Sequence, residues 1–179
     1  MSDEERGIRN KELVVDMELK MQIEPYNADR LDAVTHLSLR AWASVFDSIK
    51  NVMNVEVYQT FYPDDWRVSQ QQAVKDVCAA EDINVWVAIE DNLTVGFIAA
   101  KLHSEDNMGE IYMVAVDPDF QGRGIGTALT EFALTWMKDA GMSIAMVETG
   151  GDRGHAPARH TYEKAGFEML PIARYFKKL

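Results

Sequence analysis

The strongest constraint on the fold comes from six residues, Gln121-Gly122-Arg123-Gly124-Ile125-Gly126, which open the most regular amphipathic pattern in the chain. Ile125, Ala128, Leu129, Phe132, Ala133, Trp136, Met137 and Ala140 recur at i, i+3, i+4, i+7, i+8, i+11, i+12 and i+15, one apolar face of a long helix that Gly141 ends. Residues 110–116, just upstream, read as a strand. Three alternating glycines at a strand-to-helix junction permit a tight turn and a close approach of backbone to ligand, because no Cβ intervenes. The first N–H groups of the helix are left unpaired and point outward. With the helix dipole they favour a phosphate or pyrophosphate, to which Arg123 can add a full positive charge.

The remaining pattern predicts a mixed α/β sheet. Residues 20–25 alternate as a strand. Asn27 and Asp29 are helix caps before the apolar series Leu31, Val34, Ala41, Trp42, Val45 and Ile49, which predicts one long helix. A short helical piece is expected over 52–62, stopped by Pro63, and another helix over 66–80. Two β-rich runs, 84–90 and 93–102, flank the tight-turn pair Asp91-Asn92 and predict a hairpin. Residues 143–149 form a buried strand, Pro157 starts a helix that Gly166 ends, and 167–178 read as one or two short strands around Pro171. Residues 1–19 are an N-terminal extension, either mobile or helical through Ile8, Leu13, Val14 and Met17, and 20–179 make up a single domain.

Composition excludes several classes. A chain of 179 residues with 47% hydrophobic and 26% charged residues suits one soluble packed fold. The lone Cys78 permits no internal disulfide, fits a reducing compartment, and has no activating histidine beside it. The first twenty residues are charged and lack a signal-type apolar core, and no run of 18 apolar residues occurs, so the expectation is a cytoplasmic protein that does not engage a membrane. A formal charge of -11 opposes nucleic acid as a partner and favours cationic small molecules or basic peptides.

Three phosphate ligands are to be weighed. A nucleoside-triphosphate loop needs Gly-Lys-Ser/Thr, and Thr127 is preceded by Gly126 with no such lysine. A dinucleotide fingerprint wants Gly or Ala where Thr127 stands, although Glu148 lies at a suitable distance downstream. That fingerprint also belongs to parallel βαβ units, and here it follows an antiparallel meander. The third ligand is suggested by a resemblance. Gln121 to Gly126, in the pattern Q-x-x-G-x-G, resembles the acetyl-CoA-binding motif of the GNAT family of N-acetyltransferases. The block Ala-Arg-His-Thr-Tyr-Glu-Lys-Ala-Gly-Phe, residues 158–167, is similar to that family's A-x-x-x-Y-E-K-x-G-F signature. Together the two blocks extend the resemblance over about residues 85–167.

The resemblance implies a GNAT-type fold, with a mostly antiparallel sheet that splays between its fourth and fifth strands. It implies direct transfer of an acetyl group from acetyl-CoA to an amine of a small molecule or peptide, with no metal; an acyl-CoA-binding regulatory module without turnover is the alternative. A homodimer is compatible with families of this type. By the same resemblance, Gln121 and Gly122 belong to the cofactor-binding motif, backbone N–H groups of Arg123, Gly124, Ile125, Gly126 and Thr127 hold the pyrophosphate, and Met113, Val114, Ala115 and Val116 take the pantetheine arm. Groups around Val114 polarise the thioester carbonyl. Tyr162 matches the family tyrosine that assists the departing thiolate, or is a packing aromatic. Glu110, then Glu148, are the carboxylates expected to accept the amine's proton, unless they are structural. His155 stands where many members carry Asn; if the helix begins that early, His155, Arg159 and Tyr162 share one side and bring a titratable ring and a cation to the active centre and the cofactor, the alternative being a helix-entry histidine with an exposed arginine. Trp42, Phe46, Tyr58, Phe61, Tyr62 and Trp66 form either core or an acceptor pocket.

Overall fold

The computed structural model describes residues 21–179, so the expectations for 1–19 lie outside the described residues. Five strands form one sheet in the order of the chain: β1 (Gln22–Pro25), β2 (Ile83–Glu90), β3 (Leu93–His103), β4 (Met108–Val116) and β5 (Ile144–Val147). The first four are antiparallel and β4–β5 is parallel. The Asp91-Asn92 pair makes the expected hairpin turn. Both residues have positive φ, 50° and 66°, the twist that matches the strands they join. Arg30 steadies the turn by donating to the Asn92 carbonyl at 3.1 Å.

Helices cover both faces. On one, α1 (Leu31–Ala41) and α4 (Trp66–Ala79) set Val34, Leu37 and Val74 against Val87, Phe97 and Ala115 of the sheet. On the other, α5 (Ile125–Asp139) sets Ile125, Leu129, Ala133 and Met137 against Trp86, Ala88, Ile98, Ala100 and Ile111. Each such Leu, Ile or Val, fully buried, stabilises the fold by about 1.5–3 kcal/mol. The shorter helices are α2 (Ala43–Val52), α3 (Val55–Phe61) and α6 (Ala156–Lys164). Among the described residues no helix is long and apolar enough to cross a membrane.

Two expectations change. The single long helix is two, broken at Trp42, because its halves bury different surfaces: the Trp42 ring meets Phe97 edge-on at 6.3 Å, while Phe46 stacks on Trp66 at 4.2 Å. The terminal strands over 167–178 are not formed; that stretch has no ladder partner among the described residues. After α6, Gly166 (φ 89°) and Phe167 donate to the carbonyls of Glu163 and Tyr162, both at 3.0 Å, which turns the chain away from the sheet. Pro171 then lacks the N–H a strand needs. The tail is held instead by Arg174 on Glu148 and by Phe176 on Phe61.

Gly109 of β4 sits where a Cβ would run into the Met137 side chain, itself only 2% exposed. Gly109→Ala is expected to destabilise the fold by about 1–3 kcal/mol through overpacking. Thermal unfolding should show Tm lower by roughly 2–12 °C; an unchanged Tm would show that Met137 yields freely.

Candidate active site

The site is built on β4. Its pairing with β5 runs from Met108↔Ile144 to Ile111↔Val147 and stops there. At the same point the register with β3 shifts: Ile111 faces Ala100 and Met113 faces Ala99, so Tyr112 is the extra residue of a bulge. Beyond it Met113, Val114, Ala115 and Val116 keep their bonds to β3, and among the described residues no strand lies along their other edge. A cleft of about 290 Å³ opens in this gap. Met113 and Val114 form its floor, Val147 and Glu148 one side, and Trp42, Val45 and Phe46 the wall opposite.

The glycine loop lies at the end of the same strand. Gly122 and Gly124 have φ of +77° and +83°, in the left-handed region, and a Cβ on either would meet no atom within 4 Å. Gly124 caps α5 without a side-chain acceptor. The first helical bond runs from Ala128 N to Gly124 O at 2.9 Å, so the N–H groups of Ile125, Gly126 and Thr127 have no partner within the helix. Gln121 acts through its side chain, whose amide donates to the Val116 carbonyl at 3.0 Å and folds the loop onto β4. Arg123 lies 4.9 Å over the Phe120 ring, donates to the Asp119 carbonyl at 3.3 Å, and meets the buried Glu90 carboxylate at 3.2 Å. Its charge is therefore partly neutralised. Behind the loop, buried Asp117 accepts from Arg40 at 2.7 and 2.9 Å and from the Asp119 N–H at 3.0 Å, tying α1 to the turn that precedes the glycines.

Tyr162, on α6, lines the cleft and is 7% exposed, its ring edge-on to Phe167 at 5.9 Å. Burial pushes its hydroxyl up to about 12 from 10.0, because the phenolate loses hydration that no nearby cation replaces. Glu148 is on the cleft wall, half exposed or more and paired with Arg174 at 2.5 Å. Glu110 is set back: it lies on β4 before the gap, outside the cleft lining, with its carboxylate 2.7 Å from His103 Nε2. His155 lines the cleft beside Tyr162. Arg159 turns to the backbone, donating to the carbonyls of Gly150 at 2.5 Å and Asp152 at 2.8 Å.

Sequence reasoning passed over Asp152 and Ser48. Asp152 Oδ2 lies 2.5 Å from His155 Nδ1, and the Gly154 N–H donates to both Asp152 Oδ1 and Ser48 Oγ at 2.9 Å. Burial alone would raise the Asp152 carboxyl, but hydrogen bonds with Ser48, His155 and the Gly154 N–H outweigh it and hold the group below the usual range. The Asp-x-x-His spacing, an N-cap residue and a partner one turn on, was the available signal. The aromatic set divides: Trp42 and Phe46 face the cleft, while Tyr62 and Trp66 pack behind Phe46. Cys78 is a half-buried residue of α4 whose thiol burial pushes up, an unreactive setting.

The model of the acetyltransferase (GNAT) family matches residues 51–167. This chain belongs to the GNAT acetyltransferase family. A mycothiol acetyltransferase of Rhodococcus jostii is 38% identical over 89 residues, 48% of this chain and 28% of that protein, so the chain matches little more than a quarter of its relative's length. GNAT structures share the fold at low identity. The PaiA N-acetyltransferase of Thermoplasma acidophilum, solved with coenzyme A, aligns at TM-score 0.63 and 17% identity over 86% of this chain and 93% of that one. The aminoglycoside N-acetyltransferase AAC(6')-Iy, in complex with CoA, aligns at 0.61 and 16% over 89% and 95%.

A phenol ionising at about 12 in the fold and at 10.0 when unfolded binds its proton more tightly when folded. Its contribution to stability is thus full below pH 10 and is lost as pH rises through 12. A phenolate absorbance titration of the protein minus that of Tyr162→Phe should show the missing group ionising at about 12; ionisation at the ordinary tyrosine value would mean that its hydroxyl is hydrated.

Proposed function

We propose that this chain transfers the acetyl group of acetyl-CoA directly to the amine of a small cationic molecule. The observation that carries the reading is the open edge of β4 at Met113–Val116 running straight to the uncapped start of α5, with Tyr162 on the same cleft. The donor molecule supplies an activated thioester, and the residues present fit it. Ile125, Gly126 and Thr127 offer three N–H groups to a pyrophosphate, and the glycines before them leave space where side chains would stand. The unpartnered backbone of Met113 to Val116 can pair with the amides of the pantetheine arm as a further strand would. An N–H near Val114 then faces the oxygen on which charge develops.

Tyr162 acts at the sulfur. Passing its own proton to a thiolate would be uphill: from about 12 to a thiol's ~8.5 is roughly 3.5 pH units, or about 5 kcal/mol. The phenol therefore stays protonated, donates a hydrogen bond to the departing sulfur, and relays the proton that the nitrogen gives up as the amide forms. A protonated phenol buried in the cleft favours turnover over a module that only binds.

The acceptor side is formed by Trp42, Val45, Phe46 and Ile49, with Glu148 at the rim. Apolar walls and a rim carboxylate suit an amine on an organic body, and the net charge of -11 draws cations toward it. That a relative is named for mycothiol and a structural neighbour for aminoglycosides supports a small-molecule acceptor over a peptide.

Release of free thiol from acetyl-CoA across panels of polyamines, aminoglycosides, amino sugars and peptides tests the reading; tight NADH binding without CoA binding would overturn it. Tyr162→Phe should lower kcat by on the order of 10² while acetyl-CoA affinity, read by calorimetry, stays near that of the parent. Gly124→Val, whose side chain would meet no protein atom, should weaken acetyl-CoA binding by on the order of tenfold or more in a folded protein.

A further inference from the structure

We propose that His155, oriented by Asp152, is the base that takes the proton from the acceptor's ammonium group; this rests on the acetyl-transfer reading above. An alkylammonium has a pKa of about 10.4 and no lone pair until it is deprotonated, so the cleft must hold a base within reach. Its wall carries four titratable side chains, those of Tyr112, Glu148, His155 and Tyr162. A phenol, with an ordinary value of about 10, is not a base at neutral pH. Glu148 is 61% exposed and engaged by Arg174, and Glu110 is off the wall and engaged by His103.

His155 differs in each respect. Its side chain is 19% exposed, and it lies on the wall between Gly154 and Tyr162. Nδ1 faces the Asp152 carboxylate at 2.5 Å, which fixes the neutral ring with its proton on Nδ1. The acceptor lone pair is then on Nε2, and among the described residues Nε2 has no partner. A histidine that merely closes a helix end would not need so constrained a carboxylate. Asp152 is 9% exposed and bound by the Gly154 N–H, and the loop carrying it is clamped by Arg159 on two carbonyls. Gly150 leaves no room for a Cβ between the imidazole and that carboxylate.

The step balances without further reactants. One N–H bond of the ammonium breaks and its proton goes to Nε2. The freed pair forms the N–C bond to the thioester carbon, the C–S bond breaks, and a second nitrogen proton reaches the sulfur. The imidazolium then returns its proton to water. Asp152 is a positioning residue that stabilises the charged ring.

The charged and titratable groups around the ring are Asp152 and Arg159 on its own loop and helix, Tyr162 on α6, Glu148 at the end of β5 and Tyr112 on β4, while α2 presents the uncharged Val45, Phe46 and Ile49, with Ser48 on the Gly154 N–H. Imidazole is the side chain among these types that ordinarily titrates between pH 5 and 8. The full chain is assayed by thiol release with acetyl-CoA and the best polyamine or aminoglycoside acceptor of the parent, alongside acetyl-CoA calorimetry. A parent that turns over no amine sinks the acetyl-transfer reading itself. Given turnover, His155→Gln should lower kcat/KM at neutral pH by roughly 10²-fold or more, with acetyl-CoA affinity unchanged. The acid limb of the parent's pH profile should vanish, and rate should recover as pH nears the acceptor's own pKa. Asp152→Asn should keep the fold and move that limb, since the amide no longer fixes the tautomer. If His155→Gln does not fold, His155→Asn, which places at this position the residue many GNAT members carry, reads the same quantities. A folded His155 variant with the parent's kcat/KM and the parent's acid limb overturns the proposal, as does an Asp152→Asn profile superimposable on the parent's.

Discussion

Everything in the cleft depends on β4 having unequal partners on its two sides. Toward β3 it is paired at every residue but the bulged Tyr112, and toward β5 for four residues only. A strand with an unpaired edge is ordinarily a liability, because its N–H and C=O groups seek another chain. Here the exposed stretch is short, sits at the floor of a cleft, and begins at a bulge that turns Tyr112 out of register. The bulge and the end of the β5 ladder fall at the same residue pair. The sheet opens where a residue has been inserted into β4, and helices pack on both of its faces.

The loop at the far end of that strand shows how an acidic chain can serve an anionic ligand. Glu90, Asp117 and Asp119 all stand near the glycines, and each is bound to a cation or a backbone donor: Glu90 to Arg123, Asp117 and Asp119 to Arg40. What remains for a phosphate is the row of backbone N–H groups, which carry partial positive charge without the mobility of a lysine. On the proposed reading, a cationic acceptor would meet the net charge of the molecule, while the donor's phosphates would meet a local field of opposite sign.

Much of this was legible in the sequence because it depends on short-range rules. The i, i+3, i+4 series from Ile125 fixed α5, Asp91-Asn92 fixed the hairpin, and Gln121 to Gly126 marked the loop. What was not legible depends on contacts between distant residues. Nothing local distinguishes Trp42 as a break; the two rings that separate α1 from α2 find partners at Phe97 and Trp66, far away in the chain. The apolar tail after Gly166 reads as strand because its composition suits one, yet composition cannot supply a neighbouring edge. Glu110 and Glu148 were singled out by position on their strands, and their pairing with His103 and Arg174 is visible only in three dimensions. Asp152 was overlooked because an aspartate before a turn is first of all a cap.

The Ser48–Gly154 contact ties the wall that would meet the acceptor to the loop that holds His155. Ser48 lies on α2 between the cleft-lining residues Phe46 and Ile49, and its hydroxyl accepts from the N–H next to the histidine. The two walls are therefore joined by a hydrogen bond, whereas the glycine loop is anchored elsewhere, through Arg40 and Asp117. On the proposed reading, drift in the sequence can alter the fit for the acyl donor and the fit for the amine separately, but reshaping α2 to admit a bulkier amine would also disturb the ring beside it. Breadth of substrate and speed of reaction would then be coupled through one serine.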